Sequence, residues 1–349
     1  MIRVGLVGYG LGGKVFHAQL IHMAPDLELC AVCSRSDEKQ QAALADFPNI
    51  TTYGTYEELL ADDNIDLVVL ATPHDMHAPM AVQAMEAGKH LVTDKIMCLN
   101  EGEARSMIEA SRENDVLLSV FQNRRWDGDF LTLQNLFQDG TLGDIYTIES
   151  NITAFGGAPG GWRAWQKYGG GRVRDWGAHL IDQALQLFGP TVETVFADFQ
   201  YHYPEDRADV EALALIHLRF ANGVRYFIEL GSAWMYAKPR FHVRGSRGSF
   251  RKYGVDPQEA AMKMGAFGLP VPEDPARYQM RVKNDAGQTV EQSVSVVPGR
   301  YRTYYDNVGT AIAHGEDLLV KPEECLEAIR VIDAIMLSAE REEVIKLSS

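Results

Sequence analysis

Residues 2–13 read IRVGLVGYGLGG, a short apolar run that passes directly into a cluster of glycines. Ile2–Val7 is continuously apolar apart from Arg3 and Gly5, which is typical of a strand buried on both faces of a parallel sheet. Gly8, Gly10 and Gly13 follow in the spacing G-x-G-x-x-G. A glycine cluster at the end of a buried strand is where a doubly wound α/β domain begins.

The residues after the glycines complete the unit. Val15–Met23 is predicted to be a helix and Leu27–Val32 a second buried strand, which together with the first strand form a βαβ unit. In such a unit the glycines allow a tight turn, close approach of phosphates, and packing of the helix on the strand. We therefore predict a dinucleotide site formed by Gly8, Gly10, Leu11, Gly12 and Gly13.

The end of the second strand indicates which dinucleotide is bound. An acidic residue there would bind the 2′-hydroxyl of NAD, whereas a guanidinium suits the 2′-phosphate of NADP. The sequence reads Ser34-Arg35-Ser36, so NADP is the preferred cofactor. Asp37 is close enough to leave NAD open, and a solvated surface role for Arg35 is the alternative to phosphate binding.

Two more buried strands end in polar residues. Asp66–Ala71 runs into TPHDMH, residues 72–77, and Leu91–Thr93 runs into Asp94-Lys95. Strand carboxyl ends meet at the ligand-binding edge of an open α/β sheet, so Lys95 is expected at the same edge as the glycine loop. Its amine can stabilise an alkoxide there, although a surface lysine is the simpler interpretation from spacing alone. Short helices are predicted between these strands over Lys39–Ala45, Tyr56–Ala61 and Pro79–Ala87.

A second candidate element is GGGRVRDWGAHLIDQ, residues 169–183. A glycine run here leads into a predicted helix whose first turns carry Asp175 and His179. Residues four apart share a helix face, so the carboxylate and the imidazole can move a proton, orient a hydroxyl or hold a metal. The alternative is a helix-capping aspartate and a partly buried, hydrogen-bonded histidine.

The second half of the chain changes character after residue 122. A helix over Asp129–Gln138 is followed by predicted strands joined by turns, which indicates an antiparallel sheet. These strands are Asp144–Ala154, Thr191–Tyr203, Glu211–Phe220, Val224–Ala233 and Phe241–Arg244. Pro257–Ala276 is predicted to be a long loop, either a substrate lid or an irregular connection, and helices over Tyr304–His314 and Pro322–Glu342 close the chain.

Composition sets outer bounds on function. A chain of 349 residues with 46% hydrophobic and 23% charged residues is an ordinary globular composition, long enough for two domains. The net charge of −15 argues against a nucleic-acid surface. No apolar run is long enough for a membrane span and no signal peptide is evident, so a cytoplasmic location is expected. The four cysteines, including the CxxC-spaced Cys30 and Cys33, are expected to be reduced thiols and not zinc or redox sites.

With these pieces assembled, the chain resembles the Gfo/Idh/MocA oxidoreductase family over nearly its whole length. The words that carry the resemblance are GYGLGG, ATPHDMH, GKHLVTDK, RRW, the Trp162-Arg163 pair, DWGAHLID and GRYRTYYDNVGTAIAHGED. FHAQLI, SRSDEK, SVFQNRRWDGDFLTL and KYGVDPQEA look most like the subgroup of NADP-dependent scyllo-inositol dehydrogenases. The resemblance implies an N-terminal Rossmann domain over residues 1–121. It also implies an α+β substrate-binding and oligomerisation domain over residues 122–349, with a mainly antiparallel open sheet and last helices that pack back toward the first domain.

The resemblance also implies roles for individual residues. The family's Glu-Lys-Pro lysine and D-x-x-x-H pair fall on Lys95, Asp175 and His179, although the first motif here reads Asp94-Lys95-Ile96 and lacks the proline. Further residues are implied near the cofactor or at the crossover between domains: Thr72, Pro73, His77, Asp94, Gln122, Asn123, Trp162 and Arg163. Arg124, Tyr301 and Tyr304 are implied to face the substrate, with core packing an equal interpretation for the two tyrosines.

We therefore expect an NAD(P)-dependent dehydrogenase acting on a secondary ring alcohol of a cyclitol or small sugar, without a metal, as a homodimer or homotetramer formed through the C-terminal sheet. Three alternatives are left open. A glucoside 3-dehydrogenase or anhydrosugar oxidoreductase would use the same residues. A non-catalytic NADP-sensing regulator would not need Lys95, Asp175 and His179, and a zinc-dependent hydro-lyase would leave the glycine loop without a role.

Overall fold

The computed structural model describes residues 1–267 and 271–347, and within them the chain forms two compact units. Unit 1 comprises Met1–Asn123, Gln258–Pro270 and Arg300–Ile329. Unit 2 comprises Arg124–Pro257, Val271–Gly299 and Arg330–Ser349. Each unit is therefore assembled from three stretches of sequence, and the boundary expected after residue 121 remains a prediction.

Unit 1 is built on a sheet whose strands are all parallel. The strands are β1 (Ile2–Val7), β2 (Leu27–Cys33), β3 (Thr51–Tyr53), β4 (Leu67–Leu70), β5 (His90–Thr93) and β6 (Leu118–Val120). Their order across the sheet is β3-β2-β1-β4-β5-β6. The order reverses between β1 and β4, and such a switch point is where open α/β sheets bind ligands. The predicted Rossmann architecture is confirmed.

Helices connect the strands of unit 1. They are α1 (Gln19–Met23), α2 (Asp37–Asp46), α3 (Tyr56–Leu60), α4 (His77–Glu86) and α5 (Glu101–Glu113). Local chemistry determines where they begin: a capping box of Thr55 and Glu58 starts α3, and the Asn100 side chain accepts the Glu103 N–H to start α5. The predicted start of the first helix at Val15 was too late, because a π-helical segment over Gly12–Ala18 precedes α1.

The sheet of unit 2 is mixed and mostly antiparallel, as predicted. Its strands are β7 (Ile145–Thr153), β8 (Val192–Gln200), β9 (Leu213–Phe220), β10 (Arg225–Gly231), β11 (Phe241–Gly245), β12 (Gly248–Lys252), β13 (Tyr278–Lys283), β14 (Thr289–Gln292) and β15 (Ile345–Lys346). The order is β14-β13-β12-β11-β7-β10-β9-β8-β15, and β7 and β10 pair in parallel. The helices α6 (Gly128–Gln138) and α7 (Ala178–Phe188) also belong to this unit.

Three helices complete the chain: α8 (Gln258–Lys263), α9 (Arg302–His314) and α10 (Pro322–Arg341). The prediction of a long loop over Pro257–Ala276 was wrong at its start, because α8 buries Ala261 and Met262 there. Residues 268–270 of that loop lie outside the described residues. Helix α9 contacts α1 and β1 within unit 1.

Candidate functional site

The glycine loop after β1 is closed at two positions and open at one. Gly8 has a φ of +97°, and a β-carbon there would collide with the carbonyl oxygen of Ala71. A β-carbon on Gly13 would collide with the carbonyl oxygen of Gly8, whereas one on Gly10 would have no neighbour within 4 Å. The loop is therefore packed tightly against the sheet while its middle glycine faces open space. This is the arrangement that a pyrophosphate needs to approach the backbone.

A helical turn begins within the glycine loop. Leu11 is 61% exposed, and the Lys14 N–H donates to the carbonyl oxygen of Gly10 at 2.8 Å, so the turn begins within the glycine cluster. Backbone N–H groups at the start of a helical turn attract anions. The described geometry of residues 8–13 thus fits the predicted dinucleotide site.

The tip of β2 carries a guanidinium that is available to a ligand. Arg35 is exposed, and within the described residues it takes part in no ion pair or side-chain hydrogen bond. The neighbouring Ser36 starts α2 by accepting the Lys39 N–H at 3.4 Å, and Ser34 Oγ accepts the Ser36 N–H at 3.3 Å. The two serines therefore shape the turn that presents Arg35. Asp37 lies in the first turn of α2, where its charge favours the helix dipole.

Buried polar atoms at the ends of β4, β5 and β6 have no hydrogen-bond partner among the described residues. They include Thr72 Oγ1, Thr93 Oγ1 and Gln122 Oε1. Buried polar groups in native structures are normally satisfied, so atoms of this kind mark positions where a polar ligand or water completes the structure. Thr72 and Gln122 therefore fit the cofactor site predicted for them.

His77 has a more internal position than the family resemblance implied. Its ring is fully buried, with Nδ1 2.7 Å from the carbonyl oxygen of Ile96 and Nε2 3.1 Å from that of Thr72. Burial lowers the pKa of His77 despite these carbonyls, so the ring is neutral near pH 7 and donates to one carbonyl at a time. The ring ties the end of β4 to the residue after Lys95. Its direct contact with a nicotinamide ribose remains a prediction.

Asp94 and Lys95 follow β5 directly. The Asp94 carboxylate accepts the Lys95 N–H at 2.8 Å, and its other oxygen lies 3.6 Å from Nε2 of His17. Burial raises the pKa of Asp94, but His17 and Lys95 outweigh it and hold the pKa well below its usual range. A β-carbon on Gly12 would be 3.4 Å from this carboxylate, which places Asp94 beside the glycine loop. Sequence reasoning missed His17, although FHAQ was one of the words that carried the family resemblance.

Unit 2 carries the Asp175 and His179 pair on a continuous helical run. A π-helical segment over Val173–Gly177 holds Asp175 and passes into α7, whose second residue is His179. His179 is 4% exposed, while Asp175 is partly exposed and its Oδ1 lies 3.8 Å from Nε of Arg163. The Arg163 guanidinium stacks 4.5 Å from the ring centre of Trp162. Trp162, Arg163 and Asp175, which were predicted separately as site residues, therefore lie together.

The last glycine before this helix, Gly171, is required by a buried carboxylate. Glu211 is 3% exposed and accepts the Val173 N–H at 2.6 Å. Burial raises the pKa of Glu211, against the lowering effect of the N–H groups of Val173 and Arg172. A β-carbon on Gly171, whose φ is +106°, would lie 2.7 Å from Glu211 Oε2. Sequence reasoning missed Glu211, which follows Gly171 by forty residues.

Buried polar contacts anchor α7. Arg125 holds Asp182 through two hydrogen bonds of 2.9 and 2.6 Å, with both side chains buried. The Gln183 amide donates to the carbonyl oxygen of Arg124 at 2.8 Å and accepts from Arg240 at 2.6 Å. These contacts fix the rotation of α7 and hence the direction of His179.

Arg124 also contacts the helical run that carries His179. Its guanidinium lies 4.1 Å from the ring centre of Trp176, and the Trp176 ring is 6.3 Å from that of His179. Arg124 also forms an ion pair with Asp127 at 3.5 Å, with both side chains buried. Unit 2 therefore brings together Arg124, Trp176 and His179, in keeping with the prediction that Arg124 belongs to the site.

The two tyrosines predicted to face the substrate are core residues. Tyr301 is 2% and Tyr304 1% exposed, and the Tyr304 hydroxyl donates to Ser119 Oγ at 3.0 Å. Tyr304 also packs edge-on against Phe121, with 5.0 Å between ring centres. The core-packing alternative fits the burial of both tyrosines, and the substrate-facing role implied for them remains a prediction.

Three further features concern metal binding, cysteine chemistry and membrane insertion. In residues 1–267 and 271–347, no group of three or more His, Cys, Asp and Glu side chains is arranged to hold a metal ion. All four cysteines are free thiols, and burial raises the pKa of Cys33 to about 11. Among the helices that the structure describes, none is both long and apolar enough to cross a bilayer.

Comparison with known proteins gives consistent matches over both units. Residues 2–122 match the Gfo/Idh/MocA model described as oxidoreductase family, NAD-binding Rossmann fold, and residues 135–347 match the model described as oxidoreductase family, C-terminal alpha/beta domain. The uncharacterized oxidoreductase YdgJ of Escherichia coli (strain K12) is 38% identical, with 97% of this chain and 96% of that protein covered.

Two further relatives match over nearly their whole length. The scyllo-inositol 2-dehydrogenase (NADP(+)) IolW of Bacillus subtilis (strain 168) is 33% identical, with 99% of this chain and 96% of that protein covered. The solved structure of the putative oxidoreductase yvaA from Bacillus subtilis has a TM-score of 0.91 and 30% identity, with 99% of this chain and 100% of that chain covered. These matches confirm the predicted fold class.

Proposed function

This chain belongs to the Gfo/Idh/MocA family of NAD(P)-dependent oxidoreductases, and on that basis we propose that it transfers hydride between NADP and a secondary ring alcohol of a cyclitol or sugar. The main support is the 33% identity over 99% of the chain to a scyllo-inositol 2-dehydrogenase that uses NADP. The family's catalytic lysine and D-x-x-x-H pair fall on Lys95, Asp175 and His179 in this sequence.

The choice of NADP is supported by the tip of β2. An exposed guanidinium without an internal ion pair can meet a 2′-phosphate at no cost to the fold, and Arg35 is such a group among the described residues. The open face at Gly10 receives the pyrophosphate, and the buried polar atoms of Thr72 and Gln122 supply further contacts. Asp37 is exposed in the same turn, so NAD use at lower affinity is part of the proposal.

The residues of this chain handle the proton and the developing charge. His179 takes the hydroxyl proton as general base, and Lys95 stabilises the negative charge that develops on the alkoxide. Asp175 orients the substrate or the imidazole, and the anchored α7 keeps His179 in one direction. When bound, the nicotinamide ring supplies the acceptor for the hydride that leaves the ring carbon.

The sheet of unit 2 supports a further part of the proposal, that the protein is a homodimer or homotetramer. One face of β8, β9 and β10 exposes Phe196, Leu215 and Phe227 at 40%, 38% and 37%. A run of large apolar side chains across three adjacent strands is unusual for a free sheet surface. Light scattering of the wild type and of Phe227→Glu tests this, since an oligomer formed through this face should dissociate in the variant.

A cofactor and substrate screen tests the function. Initial rates of NADPH and NADH formation are measured with scyllo-inositol, myo-inositol, hexoses, anhydrosugars and alkyl glucosides. We expect the highest kcat/KM with an inositol isomer and NADP. A glucoside or an anhydrosugar as best substrate would favour the glucoside 3-dehydrogenase or anhydrosugar alternative. Cofactor binding without turnover on any compound would contradict the enzyme assignment and favour a regulator.

A further inference from the structure

His17 is a buried histidine that lies between two polar partners in unit 1. It belongs to the helical turn that follows the glycine loop, and it is fully buried. Its Nδ1 lies 2.7 Å from the Tyr305 hydroxyl, and its ring centre is 4.5 Å from that of Phe121. Its Nε2 faces the Asp94 carboxylate at 3.6 Å and has no hydrogen-bond partner among the described residues. Because a buried polar atom needs a partner, the Asp94 carboxylate at 3.6 Å is the group that we assign to His17 Nε2.

The contact between His17 and Tyr305 determines which ring nitrogen of His17 carries the proton. A tyrosine hydroxyl that donates to Nδ1 leaves the ring proton on Nε2, so the N–H points at Asp94. Closing the gap by a few tenths of an ångström would turn the 3.6 Å contact into a hydrogen bond. His17 is thus held at both ends, by a residue of α9 and by the residue that follows β5.

Asp94 connects His17 to the backbone of Lys95. One of its carboxylate oxygens accepts the Lys95 backbone N–H at 2.8 Å while the other faces His17. A carboxylate fixed at both oxygens fixes the peptide from which the Lys95 side chain extends. The family motif has glutamate and proline around this lysine, whereas this chain has the shorter Asp94 and Ile96. In this chain, contacts of the buried His17 and His77 with Asp94 and Ile96 take the place of the family's rigid turn.

The contact with His17 also affects the ionisation of Asp94. Burial alone would raise the pKa of Asp94, yet His17 and Lys95 lower it, so the carboxylate is ionised. An ionised carboxylate without the His17 N–H would draw the neighbouring Lys95 ammonium toward itself. The His17 N–H shares this carboxylate with Lys95 and so weakens that attraction.

We propose that His17 is a positioning residue for Lys95, acting through the Asp94 carboxylate and held in its tautomer by Tyr305. This inference rests on the proposed function, in which Lys95 stabilises the substrate oxygen. His17 touches neither substrate nor cofactor in this account. Its removal affects catalysis only as far as Lys95 contributes to it.

A double-mutant cycle tests the coupling. His17→Phe keeps the ring packed on Phe121 and removes both nitrogens, while His17→Gln retains an amide N–H near the position of Nε2. We expect His17→Phe to lower kcat by about 10- to 100-fold with the KM for NADP changed less than about threefold, because only the transition-state contact of Lys95 is disturbed. In a Lys95→Ala background the same change should cost less than about threefold. His17→Gln should restore part of the rate.

The controls separate positioning from stability. His22→Phe removes an exposed histidine further along the same helical run, where it packs on Phe47, and should leave kcat and Tm unchanged. Tyr305→Phe keeps its ring and removes the hydroxyl, so it should lower kcat in the same coupled manner and serves if His17→Phe does not fold. Equal losses from His17→Phe in both backgrounds, or unchanged kcat, would overturn the inference. A near-normal kcat in Lys95→Ala would instead contradict the proposed function.

A second readout needs neither substrate nor cofactor. Competitive labelling with acetic anhydride, followed by mass spectrometry, measures how readily the Lys95 amine reacts relative to the exposed Lys39. Removing His17 takes one partner from the Asp94 carboxylate and strengthens its attraction for the Lys95 ammonium, so labelling of Lys95 should fall about threefold or more in His17→Phe. His22→Phe should show no change. Unchanged or faster labelling of Lys95 in folded His17→Phe would overturn the inference.

Discussion

Replacing Arg35 by alanine separates the two nicotinamide cofactors. Arg35 is exposed at the tip of β2 and makes no ion pair or side-chain hydrogen bond among the described residues, so its loss should leave Tm unchanged. A hydrogen bond to a charged group contributes about 1.5–3 kcal/mol, which corresponds to roughly 10- to 150-fold in affinity. Because the site is exposed and screened by solvent, we expect the lower end, about tenfold weaker NADPH binding at ~0.1 M salt.

Fluorescence titration with NADPH and NADH at two ionic strengths measures this effect. Arg35→Ala should weaken NADPH binding and leave NADH binding within about twofold, and the difference should shrink as salt is added. Lys39→Ala is the matched control, since it removes an exposed cation from the first turn of α2. Equal weakening of both cofactors, or a wild-type preference for NADH, would refute the assignment of Arg35 to the 2′-phosphate.

Three further predictions follow from the two units. Lys95→Ala should lower kcat by roughly 10²–10³-fold while cofactor affinity is kept. A near-normal kcat in steady-state assays would show that Lys95 has no role in the reaction. His179→Ala should abolish the rise of kcat/KM with pH and lower the rate by roughly 10²–10⁴-fold. Asp175→Asn should move that rise to lower pH, because its carboxylate favours the protonated imidazole. An active His179→Ala together with an unshifted pH profile in Asp175→Asn would show that α7 has only a structural role. His90 accepts the Leu117 N–H at 2.9 Å and its pKa is lowered by burial, so below about pH 6.5 the unfolded chain binds a proton that the folded chain does not. Thermal melts should therefore show stability falling as pH drops, by up to about 1.4 kcal/mol per pH unit, with a flatter fall in His90→Gln; equal slopes would contradict this.

The sequence was most informative where local pattern and chemistry coincide. The run Ile2–Val7 with its glycines predicted both the first strand and the ligand edge, and the spacing of Asp175 and His179 predicted their shared helical run. Strand β12 was missed because Gly248–Lys252 is only five residues long and has one large apolar side chain, that of Phe250. Such short strands acquire their structure from their neighbours and not from their own propensity.

The contacts that support the site were not predictable from spacing. His17 meets Tyr305 across 288 positions, and Gln183 meets Arg240 across 57. Each side chain alone has an ordinary surface or core interpretation, and only the packed fold shows that it is buried and needs a partner. Tyr304 is a related case, because the family resemblance left substrate contact and core packing as equal interpretations. The structure shows a buried side chain whose hydroxyl donates to Ser119 Oγ.

The most direct test of the central claim follows a single hydrogen atom. Scyllo-inositol carrying deuterium on its ring carbons, or the best alcohol from the screen labelled in the same way, is incubated with the enzyme and NADP. Hydride transfer from the ring carbon predicts reduced cofactor that is heavier by one mass unit, formed by the wild type and greatly slowed in His179→Ala and Lys95→Ala. Product formed without deuterium in the cofactor, or no product from any ring alcohol, would contradict the account.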